Sequence, residues 1–282
     1  MNIGYLLMIS SMIIWGSIGI FVRYIDQPPE VIVFFRVFIT FIVLGLLKLI
    51  KKKDILKNKL SLKEYLTLSM SGLFIALNWF FFFKAIKVTT IASATMSYYV
   101  APIIVTLLSV FLLKESIDKK TLVAVGLSFL GVVLMTLMGT QKGTNFSIVG
   151  VVYGLIAALF YALVTISVKK LKDVSSHKII LFQMGISSLI FLPAIKNIKS
   201  FNPTSLALMM IVGVVHTYIG LNLYFEGLKR IKVQHVGVLS YIDPLGAIIL
   251  GGIFFNEIPE IPTIIGGGMI LSATYIILKR KI

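Results

Sequence analysis

Cysteine is absent from the 282 residues, and charged residues make up only 13% of them. The lack of cysteine excludes a disulfide-stapled secreted domain, and the charged fraction is far below the ~25% of an ordinary soluble domain. Hydrophobic residues reach 58%, and the mean hydropathy is +0.99. This excess of apolar over charged residues excludes a soluble enzyme and a disordered protein. It leaves an integral membrane protein.

Acidic residues and histidines are also scarce. There are 11 acidic residues against 27 basic ones, so the formal net charge is +16. Such a charge suits nucleic acid only if the basic residues form a patch on a folded surface. Here they lie in short gaps between apolar runs, as in a bilayer protein. We therefore expect the lipid bilayer as a partner, and no nucleic acid. The three scattered histidines and the lack of cysteine predict no metal site, and the sequence indicates no cofactor.

Ten apolar runs are each long enough to cross a hydrocarbon core of ~30 Å as a helix. The connections between them are too short for a folded domain, and no phosphate-binding loop motif occurs. The first run lacks a basic start and a cleavage site, so we expect it to be retained rather than removed as a signal peptide. The runs are Ile3–Val22, Val31–Ile50, Tyr65–Phe83, Thr90–Leu113, Thr121–Thr140, Ile148–Val168, Ile179–Ile195, Ser205–Phe225, His235–Phe255 and Ile261–Leu278.

Lysine and arginine are unevenly distributed among the connections. The even-numbered connections and the C-terminal tail, counted with Lys48 at the end of the second run, hold 20 of them, the odd-numbered connections hold 6, and Arg36 lies deeper within the second run. Because basic residues are retained on the cytoplasmic side, this pattern predicts a multi-pass protein of the cytoplasmic membrane with both termini in the cytoplasm.

The two halves of the sequence resemble each other. Trp15 of the first run matches Tyr161 of the sixth at an offset of 146. The pairs at an offset of 142 are Lys87 with Lys229, Tyr99 with Tyr241, Pro102 with Pro244 and Glu115 with Glu257. Each half carries five runs, and an odd number inverts the second copy in the membrane. The sequence thus predicts an all-α membrane protein of ten transmembrane helices, built as two inverted five-helix repeats over residues 1–140 and 148–282. Inverted repeats are typical of alternating-access transporters, with the substrate site near the midplane.

Several segments resemble EamA-type members of the drug/metabolite transporter superfamily. They are WGSIGIFVRY from Trp15, SYYVAPIIVTLLSVFLLKES from Ser97 and SYIDPLGAIILGGIFFNE from Ser240, together with Arg36 in the second run. The resemblance covers essentially the whole chain. It implies ten helices, export or uptake of small metabolites, and a central cavity lined by the first, third, fourth, sixth, eighth and ninth spans. It also marks Arg36 as important, without implying that Arg36 binds substrate.

Asp243 is the most informative single residue. At 1.5 Å per residue it lies ~12 Å from the inner end of its run, near the midplane. Intramembrane acids usually mark substrate or proton pathways, although this one could instead cap a local break at Pro244. Arg36 lies ~8 Å from the outer end of its run and could extend outward to water. The difference in depth argues against a direct salt bridge between Arg36 and Asp243.

Two prolines and a set of deep polar or aromatic residues complete the predicted site. Pro102 and Pro244 sit well inside their runs, where a proline interrupts the helix. We expect kinks that either bend cavity helices or only improve packing. The aromatic residues lie too deep to anchor the protein at the interface. The predicted substrate-binding residues are Trp15, Asn78, Tyr98, Tyr99, Tyr161, His216, Tyr241 and Asp243. The predicted coupling or gating residues are Arg36, Pro102, Asp243 and Pro244.

A transporter is favoured over two other classes of membrane protein. The sequence has no HExxH, no GxSxG and no pair of deep aspartates, which argues against an intramembrane enzyme with catalytic residues. Buried ionisable residues argue against a passive scaffold. We therefore predict a monomeric secondary transporter, an exporter of a small metabolite such as an amino acid. The alternative is efflux of cationic drugs or quaternary amines, because a deep carboxylate among aromatic rings suits an organic cation.

Overall fold

The computed structural model describes residues 2–51, 60–88, 94, 97–137, 147–200, 202–255 and 261–279. Within these ranges the chain forms helices joined by short connections, and no strand occurs. The apolar composition explains why the chain forms helices. In hydrocarbon no water can satisfy the backbone, whereas a helix satisfies its N–H and C=O groups within one segment. The predicted all-α class is confirmed.

The helices of the first half are α1 (Ile3–Gly16), α2 (Ile18–Arg23), α3 (Pro29–Lys51), α4 (Leu62–Val88), α5 (Ala101–Leu113) and α6 (Lys119–Leu137). The second half contains α7 (Ile148–Lys170) and α8 (Ser176–Phe191), which continues as a 3-10 helix over Leu192–Asn197. It then contains α9 (Pro203–Ile211), a π-helical segment (Val212–Ile219), α10 (Gly220–Arg230), α11 (Val233–Leu239), α12 (Ile242–Phe255) and α13 (Ile261–Leu278).

Six stretches of the described chain are long and apolar enough to cross a membrane. They are Ile3–Val22, Pro29–Leu47, Leu62–Ile86, Ile148–Lys170, Ser176–Asn197 and Pro203–Arg230. Two shorter apolar helices cover Ala101–Leu113 and Ile264–Leu278. Parts of the predicted fourth and fifth runs, at 90–93, 95–96 and 138–140, lie outside the described residues. The count of ten spans and their inverted arrangement therefore stay predictions.

Short polar side chains define where several helices begin. Ser61 and Glu64 form a capping box at the start of α4, in which Glu64 accepts from the Ser61 N–H (2.7 Å) and Ser61 Oγ accepts from the Glu64 N–H (3.3 Å). Asn202 accepts from the Ser205 N–H (2.6 Å) at the start of α9. These bonds satisfy N–H groups that have no partner within the helix.

Polar side chains are buried between the helices, and many large apolar side chains face outward. Ser71, Thr165 and Gln183 are fully buried, with 0% of their surfaces exposed. Leu49 and Phe111, by contrast, are each 75% exposed. Lipid tails are as apolar as leucine, so helix association in a membrane depends on close packing and interhelical hydrogen bonds. The distribution suits a bilayer as solvent.

The two halves pack against each other in a reciprocal pattern. Helix α4 lies along α7 as α1 lies along α10, and α5 contacts α7 as α1 contacts α12. Helices α6 and α13 pack together, as do α3 and α8. When each predicted span is exchanged with its counterpart five spans away, the first four contacts interchange in pairs: α4–α7 becomes α1–α10, and α5–α7 becomes α1–α12. The contacts α6–α13 and α3–α8 map onto themselves.

Candidate functional site

The first apolar run is not one continuous helix. Helix α1 ends at Gly16, and Ser17 (φ −81°, ψ −13°) separates it from α2. Gly16 lies directly against α12, because a Cβ added at Gly16 would be 2.7 Å from the carbonyl oxygen of Asp243. Glycine is therefore needed for this close approach, which brings the interruption of the first run next to Asp243.

The ninth run is interrupted at the same place. Ser240 and Tyr241 form a turn between α11 and α12. Within it the N–H of Asp243 approaches the Ser240 carbonyl (3.4 Å), an i→i+3 contact in place of the helical i→i+4 bond. Pro244 follows as the third residue of α12, where an N–H would have no intrahelical partner in any case.

The fourth run repeats this arrangement in the first half. Val100 N approaches the Ser97 carbonyl (3.4 Å), and Pro102 is the second residue of α5. The sequence predicted a kink at each proline, and the structure places each proline in the first turn of a new helix, just after a turn. The hydroxyl of Tyr241 donates to the carbonyl of Tyr99 (2.9 Å). Two residues paired at the offset of 142 thus join the two interruptions.

The Asp243 carboxylate has no partner in the described part of the chain. It is half-buried, with no described hydrogen-bond donor within 3.5 Å and no described cation within 4.0 Å. Its charge lies within electrostatic range of the phenols of Tyr98, Tyr99 and Tyr161. A carboxylate removed from water is costly unless it is neutralised or paired. Asp243 is therefore available to a proton or to a cationic group of a ligand.

Arg36 supplies a second charge. Its Nε donates to Thr217 Oγ1 (3.0 Å), and its Cζ lies 4.6 Å from the ring centroid of Trp79. No ion pair joins Arg36 to any described residue, Asp243 included. The phenol of Tyr98 lies within electrostatic range of both charges. Arg36 and Asp243 thus approach one region without neutralising each other.

The π-helical segment carries the partner of Arg36. The Thr217 hydroxyl donates to the carbonyl of Val212, five residues earlier (2.9 Å), and Thr40 of α3 donates to the carbonyl of Gly213 (2.7 Å). Side chains therefore bond carbonyls within the widened turns. Such π-helical turns are rare and frequently occur at functional sites.

His216 and Trp15 fix the π-helical segment against α1. The indole N–H of Trp15 donates to the His216 carbonyl (2.8 Å), and the His216 Nε2 lies 2.9 Å from Ser17 Oγ. His216 is only 1% exposed, and its ring packs edge-on against Phe21 with the centroids 4.7 Å apart. In this structure both predicted residues hold helices together, and the Trp15 indole N–H is already bonded.

A hydroxyl network links the sixth, eighth and ninth runs. The hydroxyl of Tyr161 lies 2.9 Å from the hydroxyl of Tyr224 and 3.2 Å from Ser240 Oγ. Thr165 Oγ1 lies 3.0 Å from the same Tyr224 hydroxyl. Tyr161 thus reaches the turn just before Asp243.

Asn78 connects the third, fourth and sixth runs. Its side-chain amide donates to the carbonyl of Ala157 (2.8 Å) and to the Tyr98 hydroxyl (3.4 Å). The Tyr98 ring packs against Phe82, with centroids 4.5 Å apart, and edge-on against Tyr161 at 6.0 Å. These contacts place Tyr98 beside Tyr161.

The structure therefore gathers the predicted site residues into one connected region. Tyr98, Tyr99, Tyr161 and Asp243 are partly exposed, whereas Tyr241 is completely buried. The substrate-binding assignments themselves stay predictions. Asp243 has no acidic counterpart in the first half, because position 101 is an alanine.

Three contributors were missed by the sequence interpretation. Tyr224 stands next to last in the predicted eighth run, but the helix continues to Arg230 and brings Tyr224 into the hydroxyl network. Trp79 lies near the end of its predicted run, where an aromatic ring resembles an interface anchor. Ser17 follows Gly16, and this Gly–Ser pair, a combination found at helix kinks, was not recognised in the sequence. More accurate helix ends would have shown that Tyr224 lies in the middle of its helix and not near its end.

The described ranges contain no group of three or more His, Cys, Asp or Glu side chains that could hold a metal ion. What they contain instead is a set of apolar helices of membrane length, interrupted around two unneutralised charges. This is the architecture of a multi-pass membrane protein of transporter type.

The family profile of EamA-like transporters matches the chain twice, over residues 2–137 and 148–279. The chain therefore belongs to the EamA-like transporter family. The resemblance of the segments around Trp15, Ser97 and Ser240 is confirmed.

Similar proteins occur in distant organisms. The chain is 27% identical to the uncharacterized transporter YxxF of Bacillus subtilis over 277 residues, covering 97% of this chain and 89% of YxxF. It is 28% identical to an uncharacterized transporter of Archaeoglobus fulgidus, covering 98% and 96%. It is 24% identical to protein RarD of Escherichia coli, covering 91% and 87%. A solved crystal structure has the same fold, with a TM-score of 0.84, 20% identity and coverage of 99% and 98%. The family and these names indicate a transporter rather than an enzyme.

Proposed function

We propose that the protein is a secondary transporter that exports a small zwitterionic metabolite, such as an amino acid, by alternating access. One observation carries this proposal. The carboxylate of Asp243, which has no partner in the described ranges, lies two residues after the turn at Ser240–Tyr241, and the Asp243 backbone lies against Gly16, next to the interruption at Ser17. Irregular backbone at membrane depth is tolerated where it is buried in protein or lines a cavity. In transporters such interrupted helices form the substrate site.

The two charges divide the recognition of a zwitterion. Asp243 binds the ammonium group of the substrate, and the terminal nitrogens of Arg36, which have no hydrogen bond to a described residue, bind its carboxylate. Tyr98 and Tyr161, whose ring centroids lie 6.0 Å apart, offer aromatic faces to the substrate. This division is supported by the absence of a salt bridge between Arg36 and Asp243 in the described part of the chain. A neutralised pair would have no charge left for a ligand.

The same proposal includes ten transmembrane helices in two inverted copies, residues 1–140 and 148–282, with both termini in the cytoplasm of the cell. The reciprocal packing of the helices and the bond between Tyr241 and Tyr99 support it, because related elements meet near a two-fold axis. Pro102 and Pro244 begin the helices that move between inward-open and outward-open states. Asp243 exchanges a proton for substrate during the cycle.

A thermal-shift screen followed by transport assays tests the proposal. Purified protein is screened against amino acids and organic cations, since a ligand at 100 times its Kd stabilises the folded state by ~2.7 kcal/mol. The strongest ligand is then loaded into proteoliposomes. We expect saturable flux that exceeds flux in protein-free liposomes and that responds to a pH gradient. Flux that does not saturate, or that matches empty liposomes, would contradict transport.

Efflux of an organic cation is the second candidate, favoured by the unpaired Asp243 among the phenols of Tyr98, Tyr99 and Tyr161. Arg36→Gln separates the two candidates. Transport of a zwitterion requires the arginine and should fall at least tenfold. Transport of a cation should persist or improve, because a nearby positive charge opposes cation binding.

A further inference from the structure

An open groove of about 590 Å³ lies between the start of α6 and the end of α13, and none of its lining residues belongs to the candidate site. Its volume is in the range of ~300–1,000 Å³ found for small-molecule sites. Its lining combines three cations with three apolar or aromatic side chains: Lys119, Lys120, Val123, Tyr275, Ile276 and Lys279.

The cations of the groove are not used by the fold. Lys119, Lys120 and Lys279 are exposed, and none forms an ion pair with a residue of the described ranges. Lys279 only places its amine 5.6 Å from the ring centroid of Tyr275. The adjacent carboxylate of Asp118 accepts from the N–H (2.9 Å) and the hydroxyl (3.2 Å) of Thr121, so it caps α6. Three like charges around one groove repel one another unless an anion joins them.

The wall of the groove is apolar and faces away from the protein core. Val123 is 58% exposed and Tyr275 is 61% exposed, whereas the neighbouring Ala124 and Ala273 are fully buried between packed helices. The groove therefore lies on the lipid side of the α6–α13 pair. Cations at its mouth and an apolar wall beyond them match an amphiphile with a negatively charged head.

We propose that this groove binds one anionic phospholipid, with its phosphate on the three lysines and an acyl chain along Val123 and Ile276. Basic pockets between transmembrane helices bind anionic headgroups in this way. Because α6 and α13 come from opposite halves of the chain, the lipid bridges the two halves. A second cavity, of about 290 Å³, is less suited. Its Lys169 and Lys229 already donate to backbone carbonyls.

Native mass spectrometry of the purified full-length protein tests the proposal. The protein is titrated with phosphatidylglycerol, with phosphatidylcholine and with inorganic phosphate. We expect one phosphatidylglycerol to bind saturably, phosphatidylcholine to bind at least tenfold more weakly, and millimolar phosphate not to displace the lipid. The triple variant K119Q/K120Q/K279Q should bind phosphatidylglycerol about 100-fold more weakly, from the usual contribution of a lysine near an anionic surface.

The matched control is K63Q/K170Q/K172Q, which removes the same charge from three other exposed lysines and should retain the affinity. A second variant, Val123→Trp, fills the apolar wall from an exposed position and should reduce lipid retention about tenfold. Its control is Val152→Trp, on the exposed face of α7.

Three results would overturn the proposal. The first is equal binding of both lipids by the protein and its lysine variant. The second is displacement of the lipid by inorganic phosphate, which would make the groove a simple anion site. The third is a dimer that Val123→Trp dissociates without changing lipid retention, which would mean that a second copy covers the groove.

Discussion

Asp243 shows how one residue can organise a site through both its side chain and its backbone. Its carboxylate has no described partner, and its carbonyl oxygen lies where a side chain at Gly16 would have to fit. The side chain and the backbone of Asp243 have different consequences. The carboxylate bears on ligand or proton binding, and the backbone contact bears on packing. Substitutions can therefore separate function from folding at this position.

Asp243→Asn should abolish most transport while leaving the protein folded. The amide keeps the shape of the side chain but cannot hold a negative charge or exchange a proton, so flux should fall at least tenfold and its pH dependence should flatten. Flux in proteoliposomes over a range of pH measures both effects. Asp26→Asn is the control, because Asp26 is exposed and its carboxylate pairs with the exposed Lys199, a contact worth ~0–1 kcal/mol. Normal transport by Asp243→Asn at every pH would make the acid structural.

Gly16→Ala should destabilise the protein. The added Cβ would lie 2.7 Å from the Asp243 carbonyl oxygen and 3.2 Å from the Ala247 nitrogen, both rigid backbone atoms. Overpacking of this kind costs ~1–3 kcal/mol, so the midpoint of thermal unfolding should fall. Gly19→Ala is a matched control two positions beyond Ser17, since nothing lies within 4 Å of its added Cβ. Equal midpoints for the two variants would show that α1 is not held against α12 as described.

At the scale of elements, helix interruptions are set by contacts between distant parts of the chain. The π-helical segment is bonded by Thr40, which is 173 residues from Gly213, and by Arg36, which is 181 residues from Thr217. A widened turn leaves carbonyls that need such partners. The irregular elements of this protein therefore depend on tertiary structure rather than on local sequence.

Thr217→Val should disturb this segment and reduce transport. Valine keeps the shape of threonine but leaves Arg36 Nε and the Val212 carbonyl without their partner, at a cost of ~1–3 kcal/mol for each buried group. We expect a lower unfolding midpoint and at least a tenfold loss of flux. Thr217→Ser keeps the hydroxyl and should restore both. If serine and valine behave alike, the hydroxyl bonds do not hold the segment.

The distinction between elements set by local sequence and elements set by distant contacts explains what the sequence could predict. The last run, Ile261–Leu278, matches α13 residue for residue, because a long apolar stretch between polar ends needs only its own composition to form a helix. The interruption at Ser17 was not predicted, although the pair Gly16–Ser17 is a local signal for a kink; what the sequence could not show is that Gly16 contacts α12 at this point. Asp243 was identified from its depth alone, whereas Tyr224 was missed because the helix extends five residues beyond the predicted run.

At the scale of the whole molecule, the two family matches and the reciprocal packing suggest one ancestral unit used twice. Two copies with an even number of spans would lie in the same orientation. Two copies with five spans lie in opposite orientations and can exchange conformations, which gives alternating access a structural basis. The side of the membrane on which the connection between the copies lies, compared with that of the termini, therefore decides between these arrangements.

Single cysteines in this cysteine-free chain can report that orientation. Thr144→Cys lies in the connection between the copies, and Lys281→Cys lies in the C-terminal tail. The distribution of basic residues predicts that both termini are cytoplasmic, and five spans then place residue 144 outside. A membrane-impermeant thiol reagent applied to intact cells should label Thr144→Cys and spare Lys281→Cys, and both should react after the cells are opened. Labelling of neither or of both in intact cells would mean an even number of spans in the second copy, and the inverted arrangement would be wrong.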